Sequence, residues 1–217
     1  MDPHVAPASA APSNGPAAGK GATPRAPRPE PESPEDRPAR LAVGVVGAGR
    51  VGTALGAALA RAGHRVVAAA AVSERSRSRV EERLPGTAVA PPPDVVAAAD
   101  LVLLTVPDDE LPELAAGLVS AGVAVTGKLM MHTSGRYGTG VLDPLTRAGA
   151  LPLALHPVMT FTGRPDDVNR LTGISFGVTS PEPLRPVAEA LVLEMGGEPV
   201  WIAEDARPLY HAALAGG

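Results

Sequence analysis

The sequence predicts an α/β fold built on a doubly wound, mostly parallel sheet, and three observations carry that expectation. From Leu41 onward, short apolar runs of strand length alternate with segments of helical character, as a sheet covered by helices on both faces requires. Gly47-Ala48-Gly49-Arg50-Val51-Gly52 stands between an apolar run, Leu41 to Val46, and an alanine-rich helical segment. A G-x-G-x-x-G turn thus occupies the place that a dinucleotide-binding βαβ unit assigns to it, which makes the expected sheet one of Rossmann type. Leu101 to Val106 is a continuous apolar run, the pattern of a central strand buried on both faces.

Ahead of that domain lies a different material. Ten of the 25 prolines fall between Pro3 and Pro38, interleaved with Ala, Gly and Ser and without apolar periodicity. Such a Pro/Ala-rich tail buries too little apolar surface to offset chain entropy, so residues 1–38 are expected to be disordered. Residues 39–203 form the expected nucleotide-binding domain, and residues 204–217 begin a further helical segment.

Within the domain the elements follow in order. Leu41 to Val46 is the first strand, and Gly52 to Arg61 the first helix, stopped by Gly63. Arg65 to Val72 reads as a buried parallel strand. A short strand near Thr87 to Ala90 ends at Pro91-Pro92-Pro93, and Asp94 to Ala99 supplies a helical turn or two. After the strand Leu101 to Val106, Pro107-Asp108-Asp109 opens a helix from Glu110 to Val119, with Asp108 suited to cap it. Lys128 to His132 is the next strand, Val141 to Ala148 a helix, and Leu151 to Leu155 a strand. Ile174 to Val178, a helix from Pro183 to Met195, and Pro199 to Ile202 complete the sheet before a last helix starts at Glu204.

Composition narrows the function classes. The 217 residues include no cysteine, which removes disulfide and thiol chemistry and sits easily with a reducing cytoplasm. Net charge is −4 and the 19 basic residues form no long basic face, so nucleic acid has no electrostatic footprint. No apolar stretch approaches the ~20 residues of a membrane span, and the N-terminus lacks a signal-peptide layout. The expectation is a soluble cytoplasmic protein whose partner is a small molecule. No short ligand spacing joins the histidines to carboxylates, so no metal is expected.

The glycine turn and its flanks indicate the cofactor. Gly47 allows a tight turn, Gly49 lets the backbone approach a pyrophosphate, and Gly52 lets helix and strand pack closely. The amides of Ala48, Arg50 and Val51 complete a helix N-terminus that favours phosphate. Past the second strand stand Ser73, Arg75, Ser76 and Arg77, cations and hydroxyls of the kind that hold a 2′-phosphate, and although Glu74 among them is an acid of the kind an NAD site uses, NADP is expected over NAD. Ser73 is equally suited to N-cap the following helix. Val106 and Pro107 end the central strand on the same rim.

Catalytic candidates come from position. In an open α/β sheet the ligand lies beyond the carboxyl ends of the strands. His132 and Ser134 follow one strand there and His156-Pro157 the next, a set suited to proton transfer during hydride transfer. Each has a structural reading as well, a hydrogen-bonded histidine or a turn serine. His64 lies in a turn at the opposite end, and Lys128 precedes its strand, so both read as structural.

GVVGAGRVGTALGAAL, LVLLTVPDDEL, HTSG at His132 to Gly135, LHPVMTF at Leu155 to Phe161, and LYHAAL at Leu209 to Leu214 together resemble the Rossmann-like DUF2520 family. That family is similar to NADP oxidoreductases of the 6-phosphogluconate dehydrogenase-like class, among them pyrroline-5-carboxylate reductase, ketopantoate reductase and prephenate dehydrogenase. The resemblance implies hydride transfer to or from a small oxo or hydroxy metabolite, carboxylated as a class, with Ser134 and His156 placed like the serine and His-Pro pair of prephenate dehydrogenases. It also implies an all-helical domain after the Tyr210-His211 segment that forms a dimer and covers the substrate. This chain reaches only Gly217, so residues 204–217 are expected to fray or to dock on a second copy, and a homodimer is expected only with the further domain. A non-catalytic NADP-binding or sensing module is the alternative reading.

Overall fold

Runs of valine, alanine and leucine with no polar face are stable only when covered on both sides, and they form the middle of one eight-stranded sheet. The computed structural model describes Met1 and residues 40–215; the expected disorder of residues 1–38 falls outside the described residues. The strands are β1 (Ala42–Val46), β2 (Arg65–Ala70), β3 (Ala88–Val89), β4 (Leu101–Leu104), β5 (Leu129–His132), β6 (Leu151–Pro157), β7 (Ser175–Thr179) and β8 (Glu198–Trp201). Their order across the sheet is β3-β2-β1-β4-β5-β6-β7-β8. The helices are α1 (Arg50–Arg61), α2 (Glu74–Arg83), α3 (Pro92–Ala98), α4 (Leu111–Ser120), α5 (Asp143–Arg147), α6 (Arg185–Glu194) and α7 (Arg207–Ala215).

Alternation along each strand divides the core in two. Val43, Val45, Leu103, Met131, Leu153 and Leu155 pack with Leu55, Leu59, Val80 and Leu191 of α1, α2 and α6. Val46, Val102, Leu104 and Met130 point the other way, onto Val95, Leu111, Leu118 and Leu145 of α3, α4 and α5. Close approach of α3 depends on Gly44, where a Cβ would come within 2.8 Å of the Val95 side chain. His64 has the structural part expected of it. Its Nδ1 accepts from the Leu41 amide at 3.0 Å and its Nε2 meets Glu194 at 2.7 Å, tying the start of β1 to α6.

Several boundaries move. β2 ends at Ala70, leaving Val72 exposed, while β6 runs on through His156 to Pro157 rather than stopping at Leu155. Val141 to Ala148 is not one helix: a 3-10 turn over Thr139–Leu142 leads into the short α5. Asp108 is not the cap of α4. Glu110 holds that position, without a side-chain cap bond, because the turn after Pro107 places the helix start two residues later.

Direction is where the sheet departs most from a uniform parallel one. β1 through β6 run parallel, but β7 is antiparallel to β6, with His156 opposite Gly177, and β8 is parallel to β7. A parallel neighbour would need a crossover spanning the sheet. The connection after β6 instead contains only a 3-10 segment, Pro165–Leu171, and the Val158 amide bonds Ser175 O at 2.9 Å, so β7 starts beside the end of β6.

The last helix does not hang free. Arg207, 1% exposed, donates from Nε to the Thr179 hydroxyl and from its terminal nitrogens to the carbonyls of Ser134, Ala154 and Gly177, at 2.8 to 3.3 Å. The Glu204 carboxylate accepts from the amides of Thr139 and Gly140 at 2.8 and 2.9 Å, capping the 3-10 turn before α5. The start of α7 lies against its own sheet through buried Arg207 and half-buried Tyr210 and His211, whereas Leu209 and Leu214 are exposed. A marginal helix holds when tertiary contacts replace the missing length. Amides of α7 should accordingly exchange slowly in a monomer, whereas Arg207→Gln, which strands three buried carbonyls, should expose them to fast exchange while β4 stays protected. Fast exchange of α7 in the unmodified chain would contradict this docking.

Candidate functional site

The six-residue glycine turn contains glycines of two kinds. At Gly47, φ is +94°, and a Cβ would lie 2.8 Å from the Thr105 carbonyl carbon; at Gly52 it would lie 2.4 Å from Thr105 Oγ1 and 2.5 Å from Gly47 O. Both are demanded by the protein's own packing, which the Thr105 hydroxyl seals by donating to Gly47 O at 2.7 Å. Gly49 differs. Its nearest neighbour for a Cβ is 3.9 Å away, so no contact among the described residues requires glycine there. It is also the N-cap of α1 and offers no side chain to the helix, leaving the first amides of α1, from Arg50, Val51 and Gly52, directed outward. Open space over an uncapped helix N-terminus is what a pyrophosphate needs.

On one side of this turn, at the ends of β2 and β3, lies a cavity of about 380 Å³ lined by Ala70, Ala71, Val72, Arg77, Val89, Ala90, Pro91 and Pro92. Apolar walls with one guanidinium suit a flat heterocycle carrying a phosphate nearby. Arg77 lines it and is exposed; Arg75, also exposed, is not part of its lining. Ser73 and Ser76 are otherwise engaged: Ser73 Oγ accepts from the Ser76 amide at 3.1 Å and Ser76 Oγ from the Ser73 amide at 3.0 Å, a capping box that starts α2. The Ser76 hydroxyl, buried and donating to Ser73 O, serves the helix and not the crevice. Arg50 extends from the turn toward the loop after β6, where it donates to Phe161 O at 3.4 Å. Val106 and Pro107 follow β4 beside Thr105, between the turn and the remaining candidates.

Those candidates separate on inspection. His132 does not line the rim: it is fully buried, its Nδ1 accepts from the Ser134 amide at 3.2 Å, and its Nε2 donates to Gly138 O at 2.8 Å. Both nitrogens are spent on folding the HTSG turn, and burial, which outweighs the Gly138 bond, pushes its pKa down to about 4. Ser134 Oγ accepts from the amides of Arg136 and Tyr137 at 3.1 and 3.2 Å, the behaviour of a turn serine, and keeps only its own O–H to offer. Its neighbour Gly135 leaves room for the imidazole of His156, whose Nε2 lies 3.1 Å from where a Cβ would be.

His156 is the group that faces open volume. With Pro157, Met159, Thr160, His211 and Leu214 it lines a cavity of about 320 Å³. Its Nδ1 meets the Tyr210 hydroxyl at 2.9 Å, with the rings edge to face. Burial, then the charge of Arg207, lowers its pKa to about 4, against an opposite pull from Asp108. Tyr210 and Arg207 border the candidate site without standing at a strand end, because they reach it from a helix two strands beyond His156. A larger cavity, about 660 Å³, lies at the carboxyl ends of β7 and β8, between Thr139, Arg185, Trp201 and Glu204. The oxygens of Glu204 and Thr179 that border it are already bonded within the protein, and it lies at the opposite edge of the sheet, so its size does not mark the site.

Comparison with known proteins agrees with this fold. The Rossmann-like domain family matches residues 27–157, and the domain of unknown function DUF2520 matches residues 174–217. The chain belongs to the Rossmann-like family and carries DUF2520 in its C-terminal part. Over 172 residues it is 33% identical to a glycerol-3-phosphate dehydrogenase [NAD(P)+] of Bradyrhizobium sp. (strain ORS 278), covering 71% of this chain and 50% of that protein. The fold is shared with a Bacteroides fragilis protein named for NADP oxidoreductase activity, at TM-score 0.64 and 23% identity over 81% of this chain and 66% of that one. It is shared also with 3-hydroxyisobutyrate dehydrogenase of Mycobacterium tuberculosis, at TM-score 0.65 and 21% identity over 81% and 59% of the two chains. The chain thus spans half the length of the glycerol-3-phosphate dehydrogenase and 59 to 66% of these two solved structures.

The two kinds of glycine should respond oppositely to one methyl group. Gly49→Ala should leave thermal stability within about 0.5 kcal/mol while abolishing dinucleotide binding, and Gly52→Ala should destabilise the fold by about 1–3 kcal/mol. Equal loss of stability in both would remove the distinction. His132 adds a pH dependence. Native His132 stays neutral down to pH about 4, whereas the unfolded chain protonates it near 6.5, so the unfolded state binds the extra proton between those values. Stability should be fully present above pH 6.5 and fall on acidification at about 1.4 kcal/mol per pH unit for this residue; a flat urea midpoint from pH 6.5 to 4.5 would refute it.

Proposed function

We propose that this chain binds NADP(H) along the carboxyl rim of β2, β1, β4 and β5 and belongs to an oxidoreductase acting on a small oxo or hydroxy metabolite. The carrying observation is Gly49, open above the uncapped start of α1 and lying between the Arg77 cavity and the His156 cavity. One rim supplies, in order, a heterocycle slot, a phosphate cradle and a proton-bearing group. The named dehydrogenase and oxidoreductase relatives support the same reading.

Each residue has a part in this reading. The adenine lies among Val72, Val89, Ala90 and Pro91, Arg75 and Arg77 face the 2′-phosphate, and Ser73 helps to form the helix start behind it. The pyrophosphate rests on the amides of α1, with Val106 and Pro107 leading toward the nicotinamide. When bound, the dinucleotide gives or takes a hydride. His156 handles the proton, Ser134 offers a hydrogen bond, and His132 holds the turn that carries Ser134 and Gly135. Arg207, buried without a carboxylate in contact among the described residues, lends positive potential to the cavity and so favours an anionic, carboxylated substrate.

Calorimetry of the chain with each cofactor tests the assignment. NADPH should bind ~10-fold or more tightly than NADH, and Arg75→Ala/Arg77→Ala should erase the difference, since charge-assisted bonds to phosphate supply it. Equal or tighter binding of NADH by the unmodified chain would overturn the NADP assignment, and absence of binding to either would overturn the whole reading.

A further inference from the structure

The His156–Tyr210 pair decides in which direction the rim is prepared to move a proton. The phenol hydrogen of Tyr210 has one acceptor within reach among the described residues, His156 Nδ1 at 2.9 Å. The phenol is held there from two sides. Gly177, the cross-strand partner of His156 in the antiparallel β6–β7 pair, sits so close to the hydroxyl that no side chain fits between them. Arg207, one helical turn before, anchors the start of α7 through four bonds and stands 5.6 Å from the centre of the Tyr210 ring. If the imidazole instead donated from Nδ1, the phenol hydrogen would be left without a partner in a partly buried position, at a cost of ~1–3 kcal/mol.

We propose that Tyr210 is a positioning residue that donates to His156 Nδ1 and so holds the imidazole as its Nε2–H tautomer, which makes the resting site a hydrogen-bond donor poised to reduce a C=O or C=N group. The inference rests on the oxidoreductase reading above and names the substrate class for it, an unsaturated acceptor and not an alcohol or amine.

The chemistry balances within the named groups. The acceptor carbon gains a hydride from a reduced nicotinamide dinucleotide, the reductant, and its π electron pair moves to oxygen or nitrogen. The Nε2–H bond breaks as the new O–H or N–H bond forms. The lone pair left on the ring draws the Tyr210 hydrogen onto Nδ1, and the phenolate so formed lies beside the fixed charge of Arg207 until solvent returns its proton. Asp108, His211, Arg207 and His132 are the other charged or titratable groups around the His156 ring among the described residues. Burial and then the charge of Arg207 keep that ring neutral, and burial raises the Tyr210 phenol, so both groups hold the protons that this sequence requires at neutral pH. A neutral imidazole in this state has no vacant Nε2 with which to accept a proton from an alcohol.

Nitrogen-15 spectra of the histidine rings in the free chain test the claim without turnover. At pH 7 the unmodified chain should show His156, assigned by its loss in His156→Asn, with hydrogen on Nε2 and a bare, hydrogen-bonded Nδ1. Tyr210→Phe should move the Nδ1 resonance to that of an unbonded nitrogen. Hydrogen on Nδ1 in the unmodified chain, an imidazolium at pH 7, or an Nδ1 resonance unchanged by Tyr210→Phe would each overturn the proposal. The spectrum of the unmodified chain decides alone if that variant does not fold. Absence of dinucleotide binding in calorimetry would remove the oxidoreductase reading while leaving the tautomer result intact, so the two failures are distinguishable.

Discussion

One buried guanidinium holds the working end of this molecule together. Arg207 has no carboxylate in contact among the described residues, so its charge is tolerated only because its donors are met by Thr179 and the carbonyls of Ser134, Ala154 and Gly177. Those acceptors belong to three different stretches of chain: the turn after β5, the body of β6, and the antiparallel strand β7. Losing any one of them would leave a donor unmet in a low-dielectric place, which costs ~1–3 kcal/mol for a neutral group and more for a charged one. The bonds therefore specify the relative position of all three stretches and of α7. His156, Tyr210 and the turn carrying Ser134 and Gly135 inherit their geometry from that agreement.

The glycine turn holds two kinds of glycine in one motif. Gly47 and Gly52 are required because α1 and the Thr105 segment approach β1 too closely for a side chain. Their presence indicates close packing of helix on strand and would be needed in an empty scaffold. Gly49 has no such internal reason, and a small residue facing solvent above a helix N-terminus, where Ser, Thr or Asp would cap the helix better, gives up stability for access. The same trade appears at Gly135, where bare backbone admits the ring of His156.

His132 and His156 look alike as residues at strand ends, yet their environments assign them opposite parts. In the parallel β5–β6 pair His132 lies opposite Ala154, so the next residue pair along the strands carries His156 toward the rim while His132 stays inside. The inner ring is saturated by Gly138 and Ser134 and builds the turn; the outer ring lines a cavity, and its Nε2 has no bonding partner among the described residues. Burial lowers both pKa values to about 4, so titration alone does not distinguish them and hydrogen-bond accounting does.

The sequence by itself determined the doubly wound α/β class, the strand–turn–helix at Gly47 to Gly52 and the capping at Ser73. These depend on local period and on residue types whose conformational needs are short-ranged: alternating apolar runs, glycine at positive φ, a hydroxyl three residues from an amide. Tertiary structure alone decided that β7 runs against β6, that Asp108 is not the cap of α4, that Ser76 and His132 are spent internally, and that Arg207 and Tyr210 reach the candidate site from α7. Strand direction depends on which end of the sheet a connection returns to, and the availability of a nitrogen or hydroxyl depends on partners far away in the chain, 54 residues apart for His156 and Tyr210 and 73 for Arg207 and Ser134. No window of neighbouring residues contains either quantity, because both are properties of the assembled sheet.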